Sequence, residues 1–388
     1  MPRVHYIAAN KLTLLQNSAA YFPALLADIT AAQHSIYVET YIFAPDAIGR
    51  EVANALIAAG LRGVSVRVLL DGFGSIALPQ SWLDELHNAG VQVLWFRRGF
   101  MFNWHRHRLR RLHRKLVVLD GEIAFVGGIN ISDDGTNDNQ LAPRLDYAVR
   151  VQGEQAQVAQ AQMRHLWDMV RWASLRRRVR GVQHLLVETL RPNLHKKLQW
   201  LWRDNVNHRR EIERAYLHAI AHARDEIILA NAYFLPSKTF IRALQHASAR
   251  GVRVVLLLQG RVEYRLQHYA THALYEKLLR AKVEIFEYQA SFMHAKVAVI
   301  DSHWATVGSS NIDPFSLLLA REANLLVRDT DFALELRSHL FTAINQDARC
   351  ITGQDRAHLA WHTKLLAHFS YGLIRMALGL IGVARRGG

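Results

Sequence analysis

The stretch His113-Arg114-Lys115-Leu116-Val117-Val118-Leu119-Asp120 returns later in the chain as His294-Ala295-Lys296-Val297-Ala298-Val299-Ile300-Asp301. Each copy runs through a short apolar segment into a small-residue turn that ends in asparagine. The turns are Gly127-Gly128-Ile129-Asn130 and Gly308-Ser309-Ser310-Asn311. His, Lys, Asp, Gly and Asn keep the same offsets in both copies. One match is compatible with chance, but two with the same downstream turn mark a duplicated unit. Alternate residues of a strand share a face, so His113 and Lys115 point together, as do His294 and Lys296; Arg114 and Ala295 face the other way. An imidazole serves near neutral pH as nucleophile or proton carrier, and an ammonium stabilises charge on phosphate oxygens. The Gly-rich turn is expected to let backbone N–H groups approach an anion, with the Asn side chain as a further neutral donor. The two phrases together predict two halves of a phosphoryl-transfer site.

The repeat extends outward from these phrases. Residues 35–43 answer 226–234, residues 62–70 answer 250–257, and residues 91–96 answer 283–288. Each unit reads strand, helix, strand, helix, strand, then the catalytic strand and its partner. Helical patterns over 53–59 and 240–249 stop near Gly60 and Gly251, as helices tend to. Strands alternating with helices imply an α/β layered sheet in each half, and so long a period means two domains rather than a solenoid. The expected fold is α/β, with two duplicated lobes packed pseudo-twofold around one cleft in which His113 and His294 face each other. The boundaries read as a first lobe over 1–170, a basic helical linker over 171–207, a second lobe over 208–350 and a tail over 351–388.

Half of the 388 residues are hydrophobic, enough for a substantial core, and the net charge is +15. That surplus favours an anionic partner, either nucleic acid or an acidic membrane surface, and charge alone does not choose between them. Cys350 is the single cysteine, so an intrachain disulfide is excluded and a reducing compartment fits. The N-terminus lacks a signal-peptide pattern, and no segment before the C-terminus reads as a spanning helix. The linker carries Arg176-Arg177-Arg178-Val179-Arg180, Lys196-Lys197, Trp200 and Trp202. It suits a solvated helix over packed tryptophans, or a surface that meets lipid headgroups. Residues 103–112, inserted before His113, hold four arginines and two histidines, a basic loop either solvated or aimed at an anionic headgroup. A zinc site from His105, His107 and His113 is disfavoured, because the arginines repel a cation and no cysteine or carboxylate is close in sequence. In the tail, Lys364, His368, Tyr371, Gly372, Arg375, Gly379, Gly382 and Arg386 share one helical face, and apolar residues cover the rest. Arg375 in the middle argues for a helix lying in a membrane interface rather than spanning it, with packing on the protein's own core as the other reading.

The paired phrases, with their Gly and Asn, resemble the phospholipase D superfamily over nearly the whole chain up to about Cys350. Within it, three stretches look like bacterial cardiolipin synthases. They are Ala230-Asn231-Ala232-Tyr233-Phe234-Leu235-Pro236, Leu258-Gln259-Gly260-Arg261-Val262-Glu263-Tyr264 and Glu287-Tyr288-Gln289-Ala290-Ser291-Phe292-Met293-His294-Ala295-Lys296. The likeness is greatest to the cardiolipin synthase B branch, which lacks an N-terminal pair of spanning helices. The resemblance implies α/β/α sandwich lobes and a covalent phosphohistidine. It assigns His113 as nucleophile and His294 as acid/base, although near-symmetry leaves the reverse open. Lys115, Lys296, Asn130 and Asn311 would hold the phosphate oxygens. A carboxylate behind each imidazole would fix its tautomer: Glu322 in the second half, with Asp146 as its counterpart. Asp120 and Asp301 complete the catalytic phrases, with fixing the turn after the strand as their nearer role. The implied reaction joins two phosphatidylglycerol molecules into cardiolipin and glycerol, with no nucleotide, cofactor or metal. The implied partners are anionic phospholipid and a membrane surface, with the protein peripheral on the cytoplasmic side of a bacterial inner membrane. The alternatives are a phosphodiesterase acting on another phospholipid or on nucleic acid, and a non-catalytic lipid-binding scaffold. The tail and the aromatic cleft phrases rank lipid ahead of nucleic acid.

Overall fold

Strands that are buried along nearly their whole length organise the chain, as expected where helices cover a sheet. The structure, a computed structural model, describes residues 2–98, 110–133, 143–176, 197–204, 208–313, 320–357 and 360–383. The first lobe comprises β1 (Val4–Ile7), β2 (Asn10–Gln16), α1 (Asn17–Ala31), β3 (Ser35–Thr40), α2 (Ala47–Leu61), β4 (Ser65–Asp71), α3 (Gln80–Asn88), β5 (Gln92–Phe96), β6 (Arg111–Leu112), β7 (Leu116–Leu119), β8 (Ile123–Gly127), β9 (Tyr147–Gln152) and α4 (Glu154–Arg176). The second comprises β10 (Leu198–Arg203), α5 (Glu211–His222), β11 (Glu226–Asn231), α6 (Lys238–Ala249), β12 (Arg253–Gln259), α7 (Arg265–Arg280), β13 (Glu284–Tyr288), β14 (Lys296–Ile300), β15 (Trp304–Gly308), β16 (Ala320–Val327), α8 (Thr330–Asp347) and β17 (Ala348–Ile351). It is followed by α9 (Gly353–Ala357) and α10 (Trp361–Val383).

The two sheets have matching orders, β1-β2-β9-β8-β7-β3-β4-β5 and β10-β16-β15-β14-β11-β12-β13-β17. In each, three parallel strands joined by helices form one side, and the strand that follows the repeated histidine, β7 or β14, lies antiparallel against the first of them. Local signals fix the helix ends. The side chains of Asp46, Ser237 and Asp329 accept N-terminal amides of α2, α6 and α8. After α2 and α6 the chain turns at Gly63 and Gly251, at φ of 88° and 93°, a conformation that costs glycine little. α2 ends at Leu61, one residue past Gly60. One core is shared by both lobes. It holds Leu116, Val118, Val126 and Tyr147 from the first sheet, with Trp200, Trp202, Val297, Val307 and Leu325 from the second. Separate cores lie under α1–α3 and under α5–α7.

Three expected boundaries need correction. The helical linker over 171–207 does not exist as one element: 171–176 finish α4, and 198–203 form β10, paired antiparallel with β16. Trp200 and Trp202 follow the period of a strand and are buried with stacked rings 5.2 Å apart, so they belong to the core, not to a lipid-facing surface. The remaining basic residues, 177–180 and Lys196, lie outside the described residues. The tail does not begin at residue 351, because β17 pairs with β13 and closes the second sheet. Of the basic insertion 103–112, residues 110–112 are described; His105 and His107 are not.

Candidate active site

Each of the two histidines, His113 and His294, stands where its lobe's chain leaves its own sheet to touch the other. In the first lobe, β6 runs parallel to β16, with Leu112 opposite Arg321, and the His113 N–H donates to the Arg321 carbonyl at 2.9 Å. In the second lobe, Met293 bridges Leu145, and the His294 N–H donates to the Leu145 carbonyl at 2.8 Å. From within its own lobe, the residue before each histidine is held by a polar side chain at the end of the second parallel strand. Leu112 N–H donates to Asp71 Oδ2 at 2.7 Å, and Met293 N–H to Gln259 Oε1 at 2.5 Å.

This exchange of strands places the carboxylates. The residue after Arg321 is Glu322, whose two oxygens lie 3.0 and 3.1 Å from His113 Nδ1. The residue after Leu145 is Asp146, with Oδ2 2.8 Å from His294 Nδ1. Each imidazole is therefore paired with the carboxylate of the opposite lobe. An Nδ1–H donated to that carboxylate leaves Nε2 as the ring atom with a lone pair to offer. The histidine side chains remain 16 % and 12 % exposed, whereas the carboxylates behind them are 0 % and 2 % exposed, so a ligand meets the rings first.

The small-residue turns serve these carboxylates. A Cβ on Gly128 would fall 2.2 Å from Asp146 Oδ1, so only glycine leaves room for the carboxylate. In the second lobe Ser309 takes that place, and its hydroxyl donates to Glu322 Oε2 at 2.5 Å. The expectation that the turn's backbone N–H groups approach an anion is corrected. Gly128 N–H is spent on the Tyr147 carbonyl, and Ser309 N–H on the Ala323 carbonyl.

Lys115 and Lys296 are buried, and each donates from Nζ to the carbonyl of its own lobe's histidine. Burial, with Lys296 beside it, pulls the Lys115 ammonium down to about 7. Burial also lowers Lys296, against the pull of Asp146 and Glu322. Both imidazoles are held below their ordinary value, first by desolvation; His294 also feels both lysines and His113. Burial pushes Asp146 up to about 6. These mutual influences join both phrases in one cluster, in which burial disfavours the charged form of each lysine and imidazole. Asn130 and Asn311 are buried, and the Oδ1 of each, an acceptor, has no partner among the described residues; a phosphate oxygen would be met by their Nδ2–H groups.

Asp120 and Asp301 do not belong to the cleft, which corrects their grouping with the catalytic set. Asp120 accepts the backbone N–H groups of Gln33, His34 and Ser35, and Asp301 those of Arg224, Asp225 and Glu226. Both sit in left-handed turns, at φ of 53° and 49°, where they lock the start of the neighbouring strand.

A family model described as "Cardiolipin synthase, PLD-like domain" matches residues 25–167 and 216–343, the greater part of both lobes. The chain belongs to this cardiolipin synthase family. It is 37% identical to cardiolipin synthase B of Escherichia coli strain K12 over 375 residues, 96% of this chain and 90% of that protein. It is 32% identical to cardiolipin synthase A of Pseudomonas putida over 356 residues, 91% of this chain and 72% of that protein. Among solved structures, phosphatidylserine synthase of Haemophilus influenzae shares the fold, with a TM-score of 0.67 at 13% identity over 95% of this chain and 94% of that one. Polyphosphate kinase of Porphyromonas gingivalis does so with a TM-score of 0.61 at 13% identity, over 94% of this chain and 53% of that one.

Several residues of this cardiolipin synthase family member have roles around the site that only the three-dimensional structure reveals. Asp71 and Gln259 occupy equivalent positions, each directly before a glycine at the end of a repeated strand, and that shared offset was the available signal. Arg114 forms a buried pair with Glu39 at 3.3 Å and also donates to the Glu322 carbonyl, where the second lobe has Ala295 and Ala230. Over His294, Arg144 pairs with Glu263 at 3.1 Å and Tyr233 donates to Glu263 at 2.6 Å. Tyr41 covers His113, with ring centroids 4.9 Å apart.

Proposed function

We propose that the chain is a phosphatidyltransferase that joins two phosphatidylglycerol molecules into cardiolipin and glycerol. One observation carries the reading: two imidazoles, each backed by the opposite lobe's carboxylate, share one cluster with two buried lysines. His113 Nε2 attacks the phosphorus of the donor, forming a P–N bond as the P–O bond to glycerol breaks. His294, protonated on Nε2 once the substrate's anionic phosphate offsets the neighbouring lysines, gives that proton to the departing glycerol oxygen. The acceptor's hydroxyl then loses its proton to His294 and attacks the phosphohistidine, so the P–N bond breaks and a new P–O bond forms. Lys115, Lys296, Asn130 and Asn311 bind the phosphate oxygens, and Glu322 and Asp146 hold the rings in the working tautomer. One diester replaces another, so the exchange draws on no nucleotide.

The protein works as a peripheral protein on the cytoplasmic side of a bacterial inner membrane. The support is α10. Ala367, Ser370 and Ile374 turn inward and the helix packs on α7, while Trp361, Leu365, Leu366, Phe369 and Met376 are exposed in a row. This divides the expected apolar face between the protein and an outer surface, and an exposed apolar row of this kind suits a lipid interface. No helix among the described residues is long and apolar enough to cross a membrane. The test is product analysis after incubating the protein with labelled phosphatidylglycerol and, separately, with single-stranded DNA. Cardiolipin and glycerol from the lipid are expected; cleavage of DNA alone would replace the reading with a nuclease. Rapid quenching of the parent protein during turnover of phosphate-labelled phosphatidylglycerol should place the label on His113, and a phosphate mapped elsewhere would reverse the assignment.

A further inference from the structure

Beside the catalytic cleft, the edge strand β5 and the last turns of α4 enclose a groove of about 440 Å³, within the size range of ligand pockets. Its wall is apolar: Leu94, Phe96, Met169, Val170 and Ala173 line it. Beneath it lies a small separate core of Leu69, Phe96, Leu112, Leu166 and Trp167. Leu112 directly precedes His113, so the floor of the groove continues into the mount of that catalytic ring.

Four arginines line the same groove, Arg97, Arg98, Arg110 and Arg321, and none makes an ion pair among the described residues. Arg98 lies over the Trp95 ring at 4.5 Å, and Arg97 and Arg321 lie over Phe96 at 5.6 and 5.9 Å. Elsewhere in the lobe an arginine this close to the cleft is neutralised, as Arg114 is by Glu39. Desolvation, followed by the neighbouring arginines, lowers both Arg97 and Arg321 to about 10. Like charges gathered over an apolar trough match a ligand that is anionic at one end and aliphatic at the other.

We propose that this groove seats a second anionic phospholipid beside the one being cut, with an acyl chain along Leu94, Phe96 and Val170 and its phosphate held by Arg97, Arg98, Arg110 and Arg321. The site is distinct from the Lys115–Lys296 cluster, because none of the groove's lining residues belongs to that cluster. It rests on the lipid-transfer reading above, since the second lipid brings a further phosphatidyl unit within reach of the cleft.

Photolabelling of the full chain by phosphatidylglycerol with a diazirine in one acyl chain tests it. Label is expected on the peptides holding 93–96 and 166–174, displaced by unlabelled phosphatidylglycerol and far less by phosphatidylcholine of the same chain length. Ala173 and Ser174 are exposed, so Ala173→Trp and Ser174→Glu keep the fold while blocking the groove and repelling the phosphate; each should remove the label there. Arg98→Ala should weaken binding about fivefold, the effect of one surface arginine on an anionic lipid. Cardiolipin formation with the groove unlabelled would overturn the proposal and leave the transfer reading intact. A labelled groove without cardiolipin would do the reverse. Equal displacement by inorganic phosphate would overturn the acyl-chain part, and displacement by single-stranded DNA with loss of the lipid label would assign the arginines to nucleic acid instead.

Discussion

Glu322 and Asp146 stand 209 and 148 positions along the chain from the histidines they hold, and their pairing across lobes sets the chemistry of both rings. A carboxylate that accepts from Nδ1 fixes which nitrogen carries the lone pair, whereas an amide in its place can also donate to Nδ1 and so favour the other tautomer. Glu322→Gln and Asp146→Asn should each lower turnover by about 10³–10⁴-fold with the fold intact, as comparable orienting residues do. Steady-state kinetics beside a circular dichroism spectrum measures this, and turnover within tenfold of the parent would count against an orienting role. A second expectation concerns charge. Lys115 is lowered to about 7, so in the unliganded protein it is charged below that pH and largely neutral above it. Anion binding favours the charged form, so above pH 7 it must take up a proton. Sulfate, a dianion throughout, should therefore bind more tightly at pH 6.5 than at 8.5, losing up to about tenfold per pH unit. Asp146, pushed up to about 6, acts in the same sense by adding negative charge as pH rises. Sulfate-dependent melting curves at both pH values give the affinities; equal affinities would remove the link to Lys115.

The repeated elements were legible because each carries a short-range pattern. The apolar runs after each His-x-Lys mark β7 and β14, although the strands begin only at Leu116 and Lys296 and so leave both histidines outside them. Runs of Val, Ile and Leu mark the parallel strands. The leading strands β2 and β10 were missed, since basic residues around Trp200 and Trp202 hid an alternation only six residues long. The strand crossing that brings Arg321 and Leu145 to the opposite histidines has no local signature, because each lobe supplies only one partner of the contact. In the same way, Asp146 was visible as a strand-edge carboxylate, while its need for a glycine at Gly128 appears only in three dimensions. At this scale α10 makes the clearest prediction. Leu365 and Phe369 are 61 % and 65 % exposed, so replacing both with Glu removes apolar surface without opening the core. The double variant should lose binding to anionic vesicles while cleaving a soluble short-chain phosphodiester at the parent rate. Undiminished vesicle sedimentation would show that the helix face does not meet lipid.

Across the whole molecule the two lobes share one core rather than merely touching. The central core draws on both sheets, and the buried Arg114 reaches from Glu39 in the first lobe to the Glu322 carbonyl in the second. A lobe alone would expose that apolar face and leave its histidine without the opposite lobe's carboxylate, so stability and the geometry of the proposed site depend on the same interface. Chemical unfolding should accordingly follow a single transition by both fluorescence and far-ultraviolet circular dichroism. Leu325→Ala, at a fully buried position between the sheets, should move that whole transition by about 2–5 kcal/mol, the cost of a large core deletion. Arg114→Ala should cost about 3–5 kcal/mol, because it strands Glu39 unpaired in the interior. The Glu39→Leu, Arg114→Met pair should recover most of that loss, since a well-packed apolar pair tolerates the same surroundings. If instead the curve split into two steps, with Leu325→Ala shifting only one of them, the lobes would be independent and the shared core would not be what holds the two histidines in one site.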